Sequence, residues 1–201
     1  WRNTKQELID YMTELTQGDA REYLRPCFWP NTPDILPEYL QYGGRPAFII
    51  RLTLAATLSS NYGIYGPAFE LCVAEALPER EEYAESEKYE IKQWDIEKPD
   101  SLEEFITRIN RIRNENPALS DTTTVQFYDV DNEALLFYGK INEDEGNAVF
   151  VVVNLDPYHT QSGWVKMPLW KLGIDPTESY LMHDCVGEGK YIWQGEYNYV
   201  E

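Results

Sequence analysis

Asp34 ends the run Arg25-Pro-Cys-Phe-Trp-Pro-Asn-Thr-Pro-Asp34, in which a carboxylate follows an aromatic, extended stretch. Pro30 and Pro33 fix φ and disfavour helix in the residues before them, so the backbone aims Asp34 in one direction. On the residues alone this is a site-like arrangement. The same residues, Asn31-Thr-Pro-Asp34, also make ordinary turns and helix starts, with Asn31 or Thr32 as cap and Pro33 just inside. A second candidate lies in Ser86-Glu-Lys-Tyr-Glu-Ile91, where Lys88 sets a cationic hydrogen-bond donor beside the aromatic surface of Tyr89. The competing reading there is a solvated stretch of mixed charge, which describes most of residues 79–90.

The elements that must position these groups alternate through the first half. Thr4 and Glu7 form a capping box, after which Leu8, Tyr11, Met12 and Leu15 recur at helical spacing until Gly18. Residues 25–30, aromatic and bounded by proline, predict a short buried strand whose carboxyl end delivers Asn31 and Asp34. Residues 46–58 are apolar on nearly every side and open with Pro46, which predicts a largely buried helix. Residues 61–69 predict the next strand and the loop beyond it. Ser101 and Glu104 form a second capping box, and Leu102, Phe105, Ile106, Ile109 and Ile112 build one apolar face that ends at Asn116-Pro117. This order of helix, strand, helix, strand, helix argues for parallel strands with crossover helices.

Beyond Pro117 the pattern changes to short strands separated by turns, at residues 124–130, 134–140, 148–155, 163–169, 179–184 and 190–194. Asn142-Glu-Asp-Glu-Gly-Asn147 has the composition of a hairpin connection. The second half is therefore expected to be an antiparallel β-sandwich, with the division falling between residues 1–119 and residues 120–201.

In 201 residues, a hydrophobic content of 43% is enough to bury a core in one ordinary domain or two small ones. A formal net charge of −18, with no basic stripe to offset it, excludes nucleic acid and anionic lipid as partners. Cys27, Cys72 and Cys185 are odd in number and far apart, which suggests neither a disulfide framework nor a zinc site. His159 and His183 stand away from any ligand-spaced cluster, so no metal is expected. No apolar run reaches membrane-spanning length, and the first residues lack the order of a signal peptide. The reducing cytoplasm is the expected location.

Three further pieces carry a resemblance. They are Gly43-Gly-Arg-Pro-Ala-Phe-Ile-Ile-Arg-Leu-Thr-Leu-Ala-Ala-Thr-Leu-Ser59, Tyr62-Gly-Ile-Tyr-Gly-Pro-Ala-Phe-Glu70 and Val151-Val-Val-Asn-Leu-Asp-Pro157. In order with Asn31-Thr-Pro-Asp34 and Ser86-Glu-Lys-Tyr89, they resemble the maltosyltransferases of the alpha-amylase superfamily, glycoside hydrolase family 13. The resemblance covers residues 24–200, and the last two segments are specific to maltosyltransferases rather than to amylases at large. It implies a retaining transfer of maltosyl units from alpha-maltose 1-phosphate to the non-reducing ends of alpha-1,4-glucans, run on carboxylates without metal or organic cofactor.

By the same resemblance Asp34 is the third carboxylate of the site, a transition-state stabiliser at the carboxyl end of the seventh barrel strand, where barrel enzymes place catalytic groups. Lys88 and Tyr89 are implied to contact the maltosyl part of the donor. Asn31 either orients the sugar or Asp34, or only forms the turn. Tyr62, Tyr65, Phe69 and Glu70 are expected around the floor and rim.

A complete (β/α)8 barrel takes about 250 residues, far more than precede the strand-rich half. The resemblance reads residues 1–119 as the C-terminal portion of such a barrel, about strands 7 and 8 with their helices, followed by most of a β-sandwich domain. It puts the nucleophile, the acid/base carboxyl and the phosphate site upstream, and it implies a homodimeric parent and an inert isolated fragment. Competing expectations are another hydrolase or a trehalose-forming isomerase of the superfamily, or a non-catalytic glucan-binding module. Trp94, Trp164, Trp170 and Trp193 bear on the last of these. Core packing is their expected use, whereas exposed coplanar rings on one sandwich face would favour the module.

Overall fold

In the computed structural model, which describes residues 2–201, Thr4 opens helix α1 (Lys5–Gln17) with the expected capping box. The Thr4 hydroxyl accepts from the Glu7 N–H, the Glu7 carboxylate accepts from the Thr4 N–H at 3.0 Å, and Gly18 ends the helix. A short helix α2 (Ala20–Tyr23) leads into strand β1 (Cys27–Phe28). Helix α3 (Glu38–Tyr42) precedes helix α4 (Gly44–Leu58), whose apolar residues run all round because it is covered on two sides. Phe48, Leu52 and Ala56 pack with Leu102, Ile109 and Ile112, while Ile50, Leu54 and Leu58 pack with α1.

Strand β2 (Asn61–Tyr62) pairs with β1 in parallel, as the alternation of elements predicts, with Cys27 opposite Asn61 and Phe28 opposite Tyr62. Both strands are shorter than expected. Pro67 starts helix α5 (Gly66–Glu70), which takes the end of the second predicted strand segment. Residues 71–100 contain no helix or strand, only an isolated bridge between Ala76 and Tyr83. Helix α6 (Glu103–Glu115) then begins without the capping box expected from Ser101 and Glu104: Leu102 is the cap residue, and no side chain caps it. Leu102 is fully buried and its N–H donates to Glu70 O at 2.7 Å, so core packing sets the helix start. Ser101 Oγ is left to accept from the Glu103 N–H at 3.3 Å.

A 3-10 turn (Pro117–Ser120) leads to the strand-rich part, made of β3 (Gln126–Phe127), β4 (Leu135–Asn142), β5 (Asn147–Asn154), β6 (Gly163–Lys166), β7 (Ser179–His183), β8 (Lys190–Gln194) and β9 (Tyr197–Val200). All pair antiparallel, in the orders β3-β4-β5, β6-β9 and β7-β8. Residues 142–147 form the expected hairpin connection between β4 and β5. The predicted strand at 163–169 stops at Lys166 because Pro168, which has no N–H for a ladder, caps a short helix α7 (Leu169–Leu172). Strand β9 has no counterpart among the predicted strands.

Successive residues of a strand face opposite sides, and β4 is buried on both. Leu136 and Tyr138 pack against Leu8, Met12 and Leu54 of the helices, while Leu135 and Phe137 pack against Val165, Met167 and Val200. Tyr138 Oη and Thr57 Oγ1 lie 2.6 Å apart in this interior. The same alternation carries Lys140 inside at 1% exposure, and among the described residues its Nζ has no hydrogen-bond partner. Trp94 and Trp193 are half-buried against the cores, but Trp164 and Trp170 are 50% and 76% exposed, against the expected core packing. On β6, Gly163 and Val165 point inward, so Trp164 must point out, opposite Tyr199.

Candidate functional site

Asp34 stands at the tip of a tight turn. The Thr32 N–H donates to Ile35 O at 3.0 Å and the Ile35 N–H donates to Thr32 O at 3.2 Å, which leaves Pro33 and Asp34 as the central pair. Pro33 pre-sets φ for the first of these positions. Asn31-Thr-Pro-Asp34 therefore makes the turn that these residues ordinarily make, and Asp34 stands exposed at its tip. The turn opens onto a cavity of about 490 Å³ that Asp34 lines together with Leu77, Tyr83, Lys88 and Tyr89.

Lys88 Nζ lies 3.7 Å from Asp34 Oδ1 and 5.5 Å from the centre of the Tyr89 ring. Tyr89 first, and then Asp34, raise the pKa of the Lys88 ammonium, which keeps it cationic. Both members of the ion pair are largely exposed, and such a pair contributes little by itself, so both groups are free to engage a polar ligand. Tyr89, 80% exposed, offers the ligand a flat apolar face.

Asn31 is placed differently. It is 1% exposed: its Oδ1 accepts from the Tyr65 N–H at 2.8 Å, and its Nδ2 donates to the Tyr83 hydroxyl at 2.7 Å and to Tyr65 O at 3.3 Å. The amide is thus spent within the protein, joining the end of β1 to the segment after β2 and to Tyr83. Burial, the largest cause, pushes the Tyr83 phenol up to about 12, so it stays a hydroxyl. Asp34, Lys88 and Tyr89 share the cavity, and Asn31 braces the turn from behind.

The expected floor and rim divide. Phe69 is fully buried, its ring 5.1 Å from that of Phe48, and belongs to the core. The Tyr62 hydroxyl donates to Asn110 Oδ1 on α6. Tyr65 reaches towards the site, where its hydroxyl donates to Glu87 Oε2, while Trp94 Nε1 donates to Glu87 Oε1 at 3.1 Å. The bond from Tyr65, then that from Trp94, hold the Glu87 carboxyl below its ordinary pKa. Sequence reasoning did not single out Glu87, although it lies inside Ser86-Glu-Lys-Tyr89. It also passed over Gly63, where an added Cβ would come within 2.5 Å of the Trp29 ring.

A second cavity, of about 440 Å³, is lined by Arg21, Arg25, Pro26, Ser60 and Thr122. Pro26 and Ser60 immediately precede β1 and β2, so it lies at the amino ends of the parallel pair, whereas Asp34 follows a carboxyl end. Among the described residues, no group of three or more His, Cys, Asp or Glu could hold a metal ion, and no helix is long and apolar enough to cross a membrane.

Residues 127–201 match the family model described as GLGE, C-terminal. Over its whole length the chain is 52% identical to the alpha-1,4-glucan:maltose-1-phosphate maltosyltransferase of Chlorobaculum tepidum, covering 31% of that protein. It is 48% identical to the protein of the same name from Methylacidiphilum infernorum and 44% identical to that from Cereibacter sphaeroides, covering 30% of each. The chain therefore spans about three tenths of the length of the curated relatives it matches. Among solved structures, a noncanonic maltogenic alpha-amylase, AmyB from Thermotoga neapolitana, superposes with a TM-score of 0.66 at 14% identity. The match covers 98% of this chain and 44% of that one, and at such identity it speaks for the fold alone.

Proposed function

This chain belongs to the alpha-1,4-glucan:maltose-1-phosphate maltosyltransferase family, and we propose that it is part of an enzyme that moves maltosyl units from alpha-maltose 1-phosphate to the non-reducing ends of alpha-1,4-glucans, with retention. The observation that carries the reading is the cavity that brings Asp34, Lys88 and Tyr89 together, in a chain homologous along its whole length to proteins of that name.

Retaining transfer needs a nucleophilic carboxylate, an acid/base carboxyl and surroundings that tolerate an oxocarbenium-like transition state. In this reading Asp34 is the fixed negative group. The tight turn holds it in place before the reaction, so its charge acts on the sugar ring only as positive charge develops there. The Lys88 ammonium donates to sugar hydroxyls, and the Tyr89 ring covers the apolar face of a pyranose. Asn31 acts on the site through the turn. The nucleophile, the acid/base group and the phosphate site belong to other parts of the longer protein. Strands β1 and β2 are then the seventh and eighth of a (β/α)8 barrel within residues 1–119, residues 120–201 form the β-sandwich domain, and the parent works as a cytoplasmic homodimer.

The test is phosphate release from alpha-maltose 1-phosphate with glycogen as acceptor, measured for the full-length protein and for these 201 residues alone. Release by the full-length protein only is expected. Release by the 201 residues alone would overturn the placing of the missing groups, and glucan hydrolysis without phosphate release would move the assignment to a hydrolase.

One observation favours a second reading, that of a glucan-binding module. Trp164, Tyr197 and Tyr199 are exposed on the outward face of the β6–β9 pair. The Trp164 and Tyr199 rings meet edge-on at 63° rather than lying coplanar, which makes a poor stacking platform. Unchanged mobility in a native gel at saturating glycogen would dispose of it.

A further inference from the structure

Lys88 and Tyr89 lie on a long stretch without helix or strand, so no ladder fixes where their side chains stand. The backbone supplies one turn, in which the N–H groups of Tyr89 and Glu90 donate to Ser86 O at 3.0 and 3.2 Å. Besides the exposed Lys88–Asp34 pair, the side-chain attachments converge on Glu87, which does not itself line the cavity. One of its carboxylate oxygens accepts from the Tyr65 hydroxyl and the other from Trp94 Nε1. Each anchor is held in turn. The Tyr65 N–H is bonded to the buried Asn31, and the Tyr65 ring meets Tyr83 edge-on at 5.8 Å. Trp94 carries the Lys92 ammonium 5.1 Å from its ring centre, and Lys92 pairs with Glu85 at 3.5 Å.

We propose that Glu87 is a positioning residue: its carboxylate clamps the Ser86–Ile91 segment between Tyr65 and Trp94, and so holds Lys88 and Tyr89 beside Asp34. The proposal rests on the reading of Lys88 and Tyr89 as donor-binding groups. A carboxylate suits the task because it accepts on both oxygens, whereas a glutamine amide would turn a donor towards one of its two anchors. Glu87 is exposed to solvent while Tyr65 and Trp94 keep their ring contacts with the core, so loss of the carboxylate frees the segment without threatening the fold.

Two measurements test this. In this chain, Glu87→Ala and Tyr65→Phe are expected to speed hydrogen exchange of the Tyr89 and Glu90 amides by about tenfold or more, with the global unfolding free energy unchanged. Unaltered exchange would overturn the clamp whatever the enzyme does. In the full-length protein, Glu87→Ala is expected to raise KM for alpha-maltose 1-phosphate about tenfold while kcat stays within about threefold, and adding Tyr65→Phe is expected to raise KM no further. An unchanged KM, or a fall in kcat alone that tracks a lower melting temperature, would overturn the positioning role. A wild-type protein that releases no phosphate would overturn the functional reading, and the exchange result would still decide the clamp.

Discussion

Replacing Lys140 by methionine is expected to stabilise the chain at neutral pH and to remove most of one pH dependence. The lysine is 1% exposed, and among the described residues no atom accepts a hydrogen bond from its Nζ. Arg113 cannot turn away from it, because its guanidinium donates to Ala56 O, to Ser59 O at 3.1 Å and to Ser60 O at 2.7 Å, where it closes the end of α4. Burial first, and the Arg113 charge second, take the lysine from 10.5 to about 7, with Asp121 pulling the other way. Between pH 7 and 10.5 the unfolded chain therefore binds a proton that the folded chain does not. Unfolding free energy rises with pH through that window, and the full penalty is present below it. A shift from 10.5 to about 7 corresponds to about 5 kcal/mol at 1.36 kcal/mol per unit.

Methionine keeps the length and the apolar stem and binds no proton, so Lys140→Met is expected to gain about 3–5 kcal/mol at pH 7 and almost nothing at pH 10.5. The assay is guanidinium unfolding followed by tryptophan fluorescence, from pH 6 to 10.5. The readout is the difference between the two proteins. Buried phenols such as Tyr39, raised to about 12 chiefly by burial, lower the stability of both above pH 10 and cancel in that difference. A difference that stays flat from pH 7 to 10, or a methionine variant less stable than wild type at pH 7, would refute the reasoning.

In the full-length protein, Asp34→Ala should lower kcat by about a thousandfold or more and change KM for the donor far less, and equal losses in binding and turnover would recast Asp34 as a binding residue. Asn31→Ala leaves the buried Tyr83 hydroxyl and the Tyr65 N–H without partners and is expected to cost about 2–4 kcal/mol in denaturant unfolding; a cost below about 1 kcal/mol would show that the brace is not needed. Gly63→Ala should push the half-exposed Trp29 ring aside, with a cost of about 0.5 kcal/mol or less and a shift in tryptophan emission, and an unshifted spectrum would contradict the contact.

What was legible in the sequence was what is local. Thr4 with Glu7 and Ser101 with Glu104 make equally good capping boxes on paper, yet only the first forms, because Leu102 is drawn into a core assembled from distant residues. Strand β9 pairs with β6, far back along the chain, and its few alternating residues carry no local trace of that partner. The site shows the same division. Nothing in the spacing of Asp34 and Lys88 announces an ion pair, and these residues were picked out together through the family resemblance. The bonds of Tyr65 to Glu87 and of Asn31 to Tyr65 and Tyr83 are long-range, the one from Trp94 to Glu87 lies within a stretch without helix or strand, and none left a pattern to read. Lys140 did leave one. In Leu135-Leu-Phe-Tyr-Gly-Lys140 the two-residue period places the lysine on the face of Tyr138, and a charge on the buried face of a strand is by itself the mark of a perturbed group.

Strand β4 also bears on how such chains can be recombined. A breakpoint between residues 119 and 120 separates the helices from the strands on paper, but Leu136 and Tyr138 are seated among Leu8, Met12 and Leu54 on the other side of it. The segment recognised by the family model, residues 127–201, carries only half of that contact. Exchanging it between relatives transplants one side of a packed surface. A graft that takes should therefore bring matching residues on α1 and α4 with it, and a graft made at the apparent boundary should lose stability in proportion to the mismatch on the helix-facing side of β4.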